Sequence, residues 1–138
     1  ARRLVLRESD KGCVLGVGGV FFRSKDPARL GEWYEKHLGF QVEAWGDTRG
    51  TSFTPAGMPP AAFTVWSAFA ASTEYFGSSG QSYMINLVVD DLDAALANVA
   101  EGGAEVLDAR EEHDFGRFGW FVDPDGNRVE LWEPPEDQ

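Results

Sequence analysis

The chain has one cysteine, Cys13, in 138 residues. A single thiol makes no intramolecular disulfide and no cysteine metal cluster, which points to a reducing, cytoplasmic setting. At the start of an apolar strand it is a packing residue more often than a nucleophile. Basic residues are also scarce, with 12 Lys and Arg against 23 Asp and Glu, a formal charge of −11. A surface this acidic repels a phosphate backbone, and no basic stripe offsets the total, so nucleic-acid binding is excluded. Only two histidines are present, His37 and His113, so any histidine-rich metal centre is short of ligands. Residues 50–73 carry no charge, but Pro55, Gly57, Pro59, Pro60 and several hydroxyls make them loop plus strand rather than a membrane span. Arg2 and Arg3 precede no apolar stretch of signal-peptide length, so no membrane association is expected.

What is present is a globular composition, 43% hydrophobic and 25% charged, in a chain of single-domain length. Residues 16–41 and 81–105 share one pattern: apolar strand, acidic residue, amphipathic helix, glycine, second strand. Setting Asp26 against Asp91 pairs Gly19 with Met84, Phe21 with Asn86 and Leu30 with Ala95; further on, Trp66 falls against Trp132. The chain therefore reads as α+β, two copies of one βαβββ unit. Module one covers about 14–71, a linker about 72–81 and module two about 82–134, with an acidic tail at 135–138.

Local signals support each helix. Asp26 caps the first, Pro27 fills its first turn, and Gly39 supplies the left-handed stop after Leu30, Trp33, Tyr34 and Leu38. Asp91 caps the second, whose buried stripe is Leu92, Ala95, Leu96 and Val99, with Gly102 as its end. Strands are expected at 16–24, 63–66 and 83–89. The Asp123-Pro124-Asp125-Gly126-Asn127 turn joins strands 117–122 and 128–133 in a hairpin.

The sequence resembles the vicinal oxygen chelate superfamily, which includes glyoxalase I, bleomycin-resistance proteins, fosfomycin-modifying thiol transferases and extradiol dioxygenases. Three segments carry the resemblance: Asp26 through Trp33-Tyr34 to Leu38-Gly39-Phe40; Val89-Asp90-Asp91-Leu92-Asp93-Ala94-Ala95; and Asp123 to Pro134, a complete D-P-D-G-N-x-V-E-L-W-E-P. It implies two βαβββ modules curling around a shared cleft, commonly paired across a homodimer. In metal-dependent members one ligand sits on the first strand of each module and one near the end of each last strand. Those positions fall here on Gly19, Met84, Thr64 and Glu130. Only Glu130 is a metal ligand in kind, so the family's usual metal is not expected. His37, at a helix end, reads as a dipole-facing surface residue, and His113 as part of a charged loop.

Strand alternation then selects the residues that share a face with these positions: Phe21 after Gly19, Asn86 after Met84, Trp66 with Thr64, and Trp132 with Glu130. Hairpin pairing places Trp120 beside Glu130. The expected ligand-binding set is Phe21, Thr64, Trp66, Met84, Asn86, Trp120 and Trp132, an apolar wall with few polar groups. Glu130, buried, needs a partner such as Asn86, a tyrosine or Arg117. Two functions fit. One is a metal-free binder of a small aromatic or cationic molecule, with Glu130 as counter-charge. The other is an enzyme with Glu130 as its acid or base, or as one ligand of an atypical divalent metal site with Asn86, Glu112 or His113. The tryptophans and Met84 serve equally well as core, and a cleft filled by its own side chains would leave the protein an interaction scaffold.

Overall fold

The computed structural model describes residue 12, residues 19–77 and residues 80–136. Cys13, Arg2 and Arg3, residues 16–18 of the expected first strand, Ser78 and Ser79 of the expected linker, and the last two residues of the acidic tail lie outside the described residues.

Helix α1, Pro27–Leu38, forms where its capping signals stand. The Asp26 carboxylate accepts the Arg29 N–H at 3.1 Å, and Gly39 closes the helix at φ 73° with its N–H on the Tyr34 carbonyl. Helix α2, Leu92–Glu101, is capped by Asp91, whose carboxylate accepts the Ala94 N–H at 3.0 Å. Its Leu92 N–H donates to Glu133 at 2.8 Å, so the end of the last strand helps fix the start of the helix.

Two short strands, β1 (Glu43–Trp45) and β2 (Thr48–Gly50), make an antiparallel hairpin of their own. The main sheet has five strands: β3 (Ile85–Val88), β4 (Glu105–Val106), β5 (Glu111–His113), β6 (Gly116–Val122) and β7 (Arg128–Glu133). Their order is β3-β7-β6-β4, with β3 parallel to β7 and the β6–β7 hairpin antiparallel. β4 and β5 pair with opposite ends of β6, two pieces of one interrupted edge, so the second half is a complete β-α-β-β-β unit. Gly116 opens β6 at φ 127°, and a side chain there would collide with the Glu133 carbonyl and the Trp132 indole.

Alternation divides the sheet into two faces. Phe121, Val129 and Leu131 pack with Leu30 and Tyr34 of α1 and with Leu92, Ala95, Leu96 and Val99 of α2, the main core. Two polar ties hold α1 onto the second module. The Trp33 indole N–H donates to the Gly102 carbonyl at 2.9 Å, and the Tyr34 hydroxyl donates to Asp123 at 3.0 Å. His37, in the last turn of α1, packs on Trp33 rather than entering any site.

The first half departs from the expected pattern. Residues 19–24 and 63–66 are not strands, and Phe21 is 96% exposed and Trp66 80% exposed. A strand exists only beside a neighbour that takes its hydrogen bonds, and among the described residues neither segment is paired with a strand. Their apolar character is real, but character alone does not supply a sheet. Among the described residues no helix is long and apolar enough to cross a membrane.

Asp123 sits buried at the β6–β7 turn, and burial pushes its carboxyl above the usual aspartate range despite bonds from Tyr34, Asp125 and Asn127. An aspartate raised in the fold adds stability below its unfolded value and loses it as pH rises through the folded one. Tyr34→Phe removes a donor that favours the ionised form of this buried carboxyl and is expected to cost about 1–3 kcal/mol at neutral pH. The penalty shrinks as pH falls through the raised value; urea melts at neutral and acid pH measure both.

Candidate functional site

The face of the sheet turned away from the helices carries a different set of side chains. In the β6–β7 hairpin Trp120 stands opposite Glu130, and Phe118 opposite Trp132; in the parallel pair Asn86 stands beside Glu130. Trp120 is 1% exposed and Glu130 7%, both buried although no helix covers them.

Glu130 is the centre of this face. Its Oε1 accepts the Asn86 side-chain N–H at 2.7 Å. Its Oε2 accepts the Trp120 indole N–H at 2.9 Å and the Tyr75 hydroxyl at 2.5 Å. All three donors are neutral, and among the described residues no ion pair involves Glu130. Charge-assisted bonds of this kind offset the desolvation of a buried carboxylate without a counter-ion. Arg117 does not pair with Glu130; it reaches Asp93 at 3.2 Å and Glu133 at 3.4 Å instead. The hairpin register explains this, since Arg117 stands opposite Glu133 on the helix side of the sheet. Asp93 and Glu133 together hold the Arg117 guanidinium above its ordinary value, the hydrogen bond to Asp93 contributing most.

An aromatic layer covers the carboxylate. The Tyr75 ring meets Trp120 edge-on at 6.0 Å and stacks on Phe69 at 5.5 Å. Phe63 meets Trp132 edge-on at 5.0 Å, and Phe118 stacks on Trp132 at 6.0 Å. The Trp132 indole N–H is taken by the Phe115 carbonyl at 2.7 Å. Burial, then the bond to Glu130, pushes the Tyr75 hydroxyl well above the usual tyrosine range, so it remains a donor at any physiological pH. Arg128 lies on the same face with its guanidinium carbon 5.7 Å from the Trp120 ring centroid, and its buried Nε has no hydrogen-bond partner.

The structure thus brings together Asn86, Trp120, Glu130 and, beside them, Trp132. Met84 lies half-buried just before β3. Phe21, Thr64 and Trp66 are exposed and stand outside this cluster, because the strands that would have aimed them inward are absent. Tyr75, Phe63, Phe69 and Arg128 are the members sequence reading missed. Tyr75-Phe76, an aromatic pair in a stretch otherwise rich in Gly and Ser, was the one available signal.

The family positions do not make a divalent-metal site. Gly19 has no side chain, Thr64 is exposed, Met84 is a thioether, and both Glu130 oxygens are engaged by N–H or O–H donors. Glu112 and His113 lie exposed on β5, where His113 bonds Glu111 at 2.9 Å and stacks on Phe115. Among the described residues no three His, Cys, Asp or Glu side chains converge.

Removing Glu130 leaves the buried Trp120 indole without an acceptor. Glu130→Ala is expected to lower stability by about 1–3 kcal/mol, read as a shift in the urea midpoint, while Asn86→Ala, at an exposed position, costs less.

A family model described as a glyoxalase-like domain matches residues 19–132. A glyoxalase/bleomycin resistance protein/dioxygenase family enzyme from Burkholderia phytofirmans aligns over 81% of this chain and 93% of its own, at 16% identity and TM-score 0.54. TioX from a Micromonospora species aligns over the same shares at 18% identity and TM-score 0.50. TnmS3, an antibiotic binding protein from a Streptomyces species, is 25% identical over 80% of this chain and 88% of its own, at TM-score 0.48. None of the curated proteins matches the chain. With a complete β-α-β-β-β unit and a family match across most of its length, the chain belongs to the glyoxalase-like domain family, within the vicinal oxygen chelate superfamily.

Proposed function

We propose that this protein binds a small aromatic molecule, without a metal, against Trp120 and Trp132 with Glu130 as its polar anchor. The observation that carries the reading is the environment of Glu130: a buried carboxylate among indole and phenol rings, satisfied by neutral donors alone. Sparse orienting polar groups within an aromatic wall are the usual chemistry of a small-molecule site. The −11 charge favours a neutral or cationic ligand over an anion. Three of this carboxylate's roughly four acceptor positions already take hydrogen bonds from protein donors, an arrangement that supports a fixed polar anchor over a proton-abstracting base.

The state in solution that suits this chain is a homodimer. Val20, Phe21, Phe22, Val65 and Trp66 are exposed apolar side chains on segments without strand partners, the kind of surface a second copy would cover. Light scattering is expected to give twice the 15.2 kDa chain mass.

Titration with planar aromatic compounds, followed by tryptophan emission, tests the binding reading. A saturable change that Trp120→Phe abolishes, and that Glu130→Gln weakens by about tenfold or more, is expected. Protein purified without chelator is expected to carry no stoichiometric divalent metal. A bound metal that disappears in Glu130→Ala, or turnover of a carbonyl substrate that Glu130→Gln abolishes, would replace this reading with an enzyme.

A further inference from the structure

Resting on that binding site, the geometry points to a phenol as the ligand's recognition element: the phenolic ring takes the place that Tyr75 fills. Oε1 of Glu130 is held by Asn86 and one position on Oε2 by Trp120, both anchored on strands of the sheet. The remaining donor position on Oε2 is filled by a side chain from outside the sheet. Tyr75 is half-buried and belongs to a segment that is neither helix nor strand. The backbone bonds around it are local turns: Thr73 N–H to Ala70, Tyr75 N–H to the Thr73 hydroxyl, and Gly77 N–H to Glu74. Among the described residues, the Tyr75 hydroxyl makes the one hydrogen bond from residues 63–77 to the sheet. A side chain at the protein surface with so few ties exchanges readily for an external group of the same chemistry.

Three features of the position define that chemistry. A flat ring fits where Tyr75 lies, stacked on Phe69 with a 12° tilt and perpendicular to Trp120 at 6.0 Å. The carboxylate oxygen at its end requires a donor, 2.5 Å from the ring's own oxygen. Arg128 holds its positive charge over the Trp120 ring, so a second cation there meets like charge, whereas a neutral hydroxyl does not. A phenol satisfies all three conditions; a quaternary aromatic cation fails the last two, and a bare hydrocarbon ring fails the second.

The test uses p-cresol, the tyrosine side chain as a free molecule, with toluene and benzyltrimethylammonium as controls, on the full chain and on Tyr75→Ala. Binding is read by tryptophan emission, with Trp120→Phe locating the signal. Tyr75→Ala is expected to bind p-cresol about tenfold or more tighter than the unaltered chain does. The variant is also expected to prefer p-cresol to toluene and to the cation by about tenfold, or ~1.4 kcal/mol. Glu130→Gln in the Tyr75→Ala background erases the preference over toluene. If Tyr75→Ala does not fold, the same preference order measured on the unaltered chain decides, because Tyr75 competes equally with all three probes. Equal affinity for toluene, or tighter binding of the cation, overturns the phenol assignment and leaves the aromatic site standing. No response of Trp120 to any probe in either protein overturns both.

Discussion

A carboxylate placed in the middle of an aromatic face is costly to desolvate, and the far side of this sheet is organised around meeting that cost. Glu130 draws an amide from β3, an indole from β6 and a phenol from a segment outside the sheet to its two oxygens. Each bond also orients its donor: Trp120 is turned with its N–H to the carboxylate, which fixes the position of its ring, and Tyr75 is drawn down over the face. With neutral donors alone, the negative charge is solvated but not cancelled. That residual charge in an apolar setting is what a ligand of suitable chemistry would meet.

The helix-facing side of the same strands follows different physics. Phe121, Val129 and Leu131 present no polar atoms, and α1 and α2 close over them. Two bonds from α1, Trp33 to Gly102 and Tyr34 to Asp123, lock the first half of the chain onto the second at the end of α2 and at the hairpin turn. Alternation along β7 therefore separates stability from recognition: odd positions build the core, even positions build the site.

Much of this was legible in the sequence because it is local or periodic. Asp26 and Asp91 cap their helices through bonds spanning three residues, and the Asp123 turn sets a register that puts Trp120 beside Glu130. The same register, followed three residues further, would have placed Arg117 against Glu133. Tyr75 was not legible, since its bond to Glu130 spans 55 positions and comes from a segment with no periodicity. Residues 19–24 and 63–66 carry strand-like composition, yet a strand is a property of two segments, and alternation could not reveal that among the described residues neither is paired with a strand.

The central claim is that the face around Glu130 receives an aromatic ligand beside Trp120. The most direct measurement follows the five tryptophan indole N–H signals by NMR during addition of p-cresol, with Trp120 assigned through Trp120→Phe. The account predicts that the Trp120 signal, shifted by its bond to a carboxylate, moves most and in proportion to occupancy. Movement confined to other indoles, with Trp120 unchanged at saturation, would contradict it.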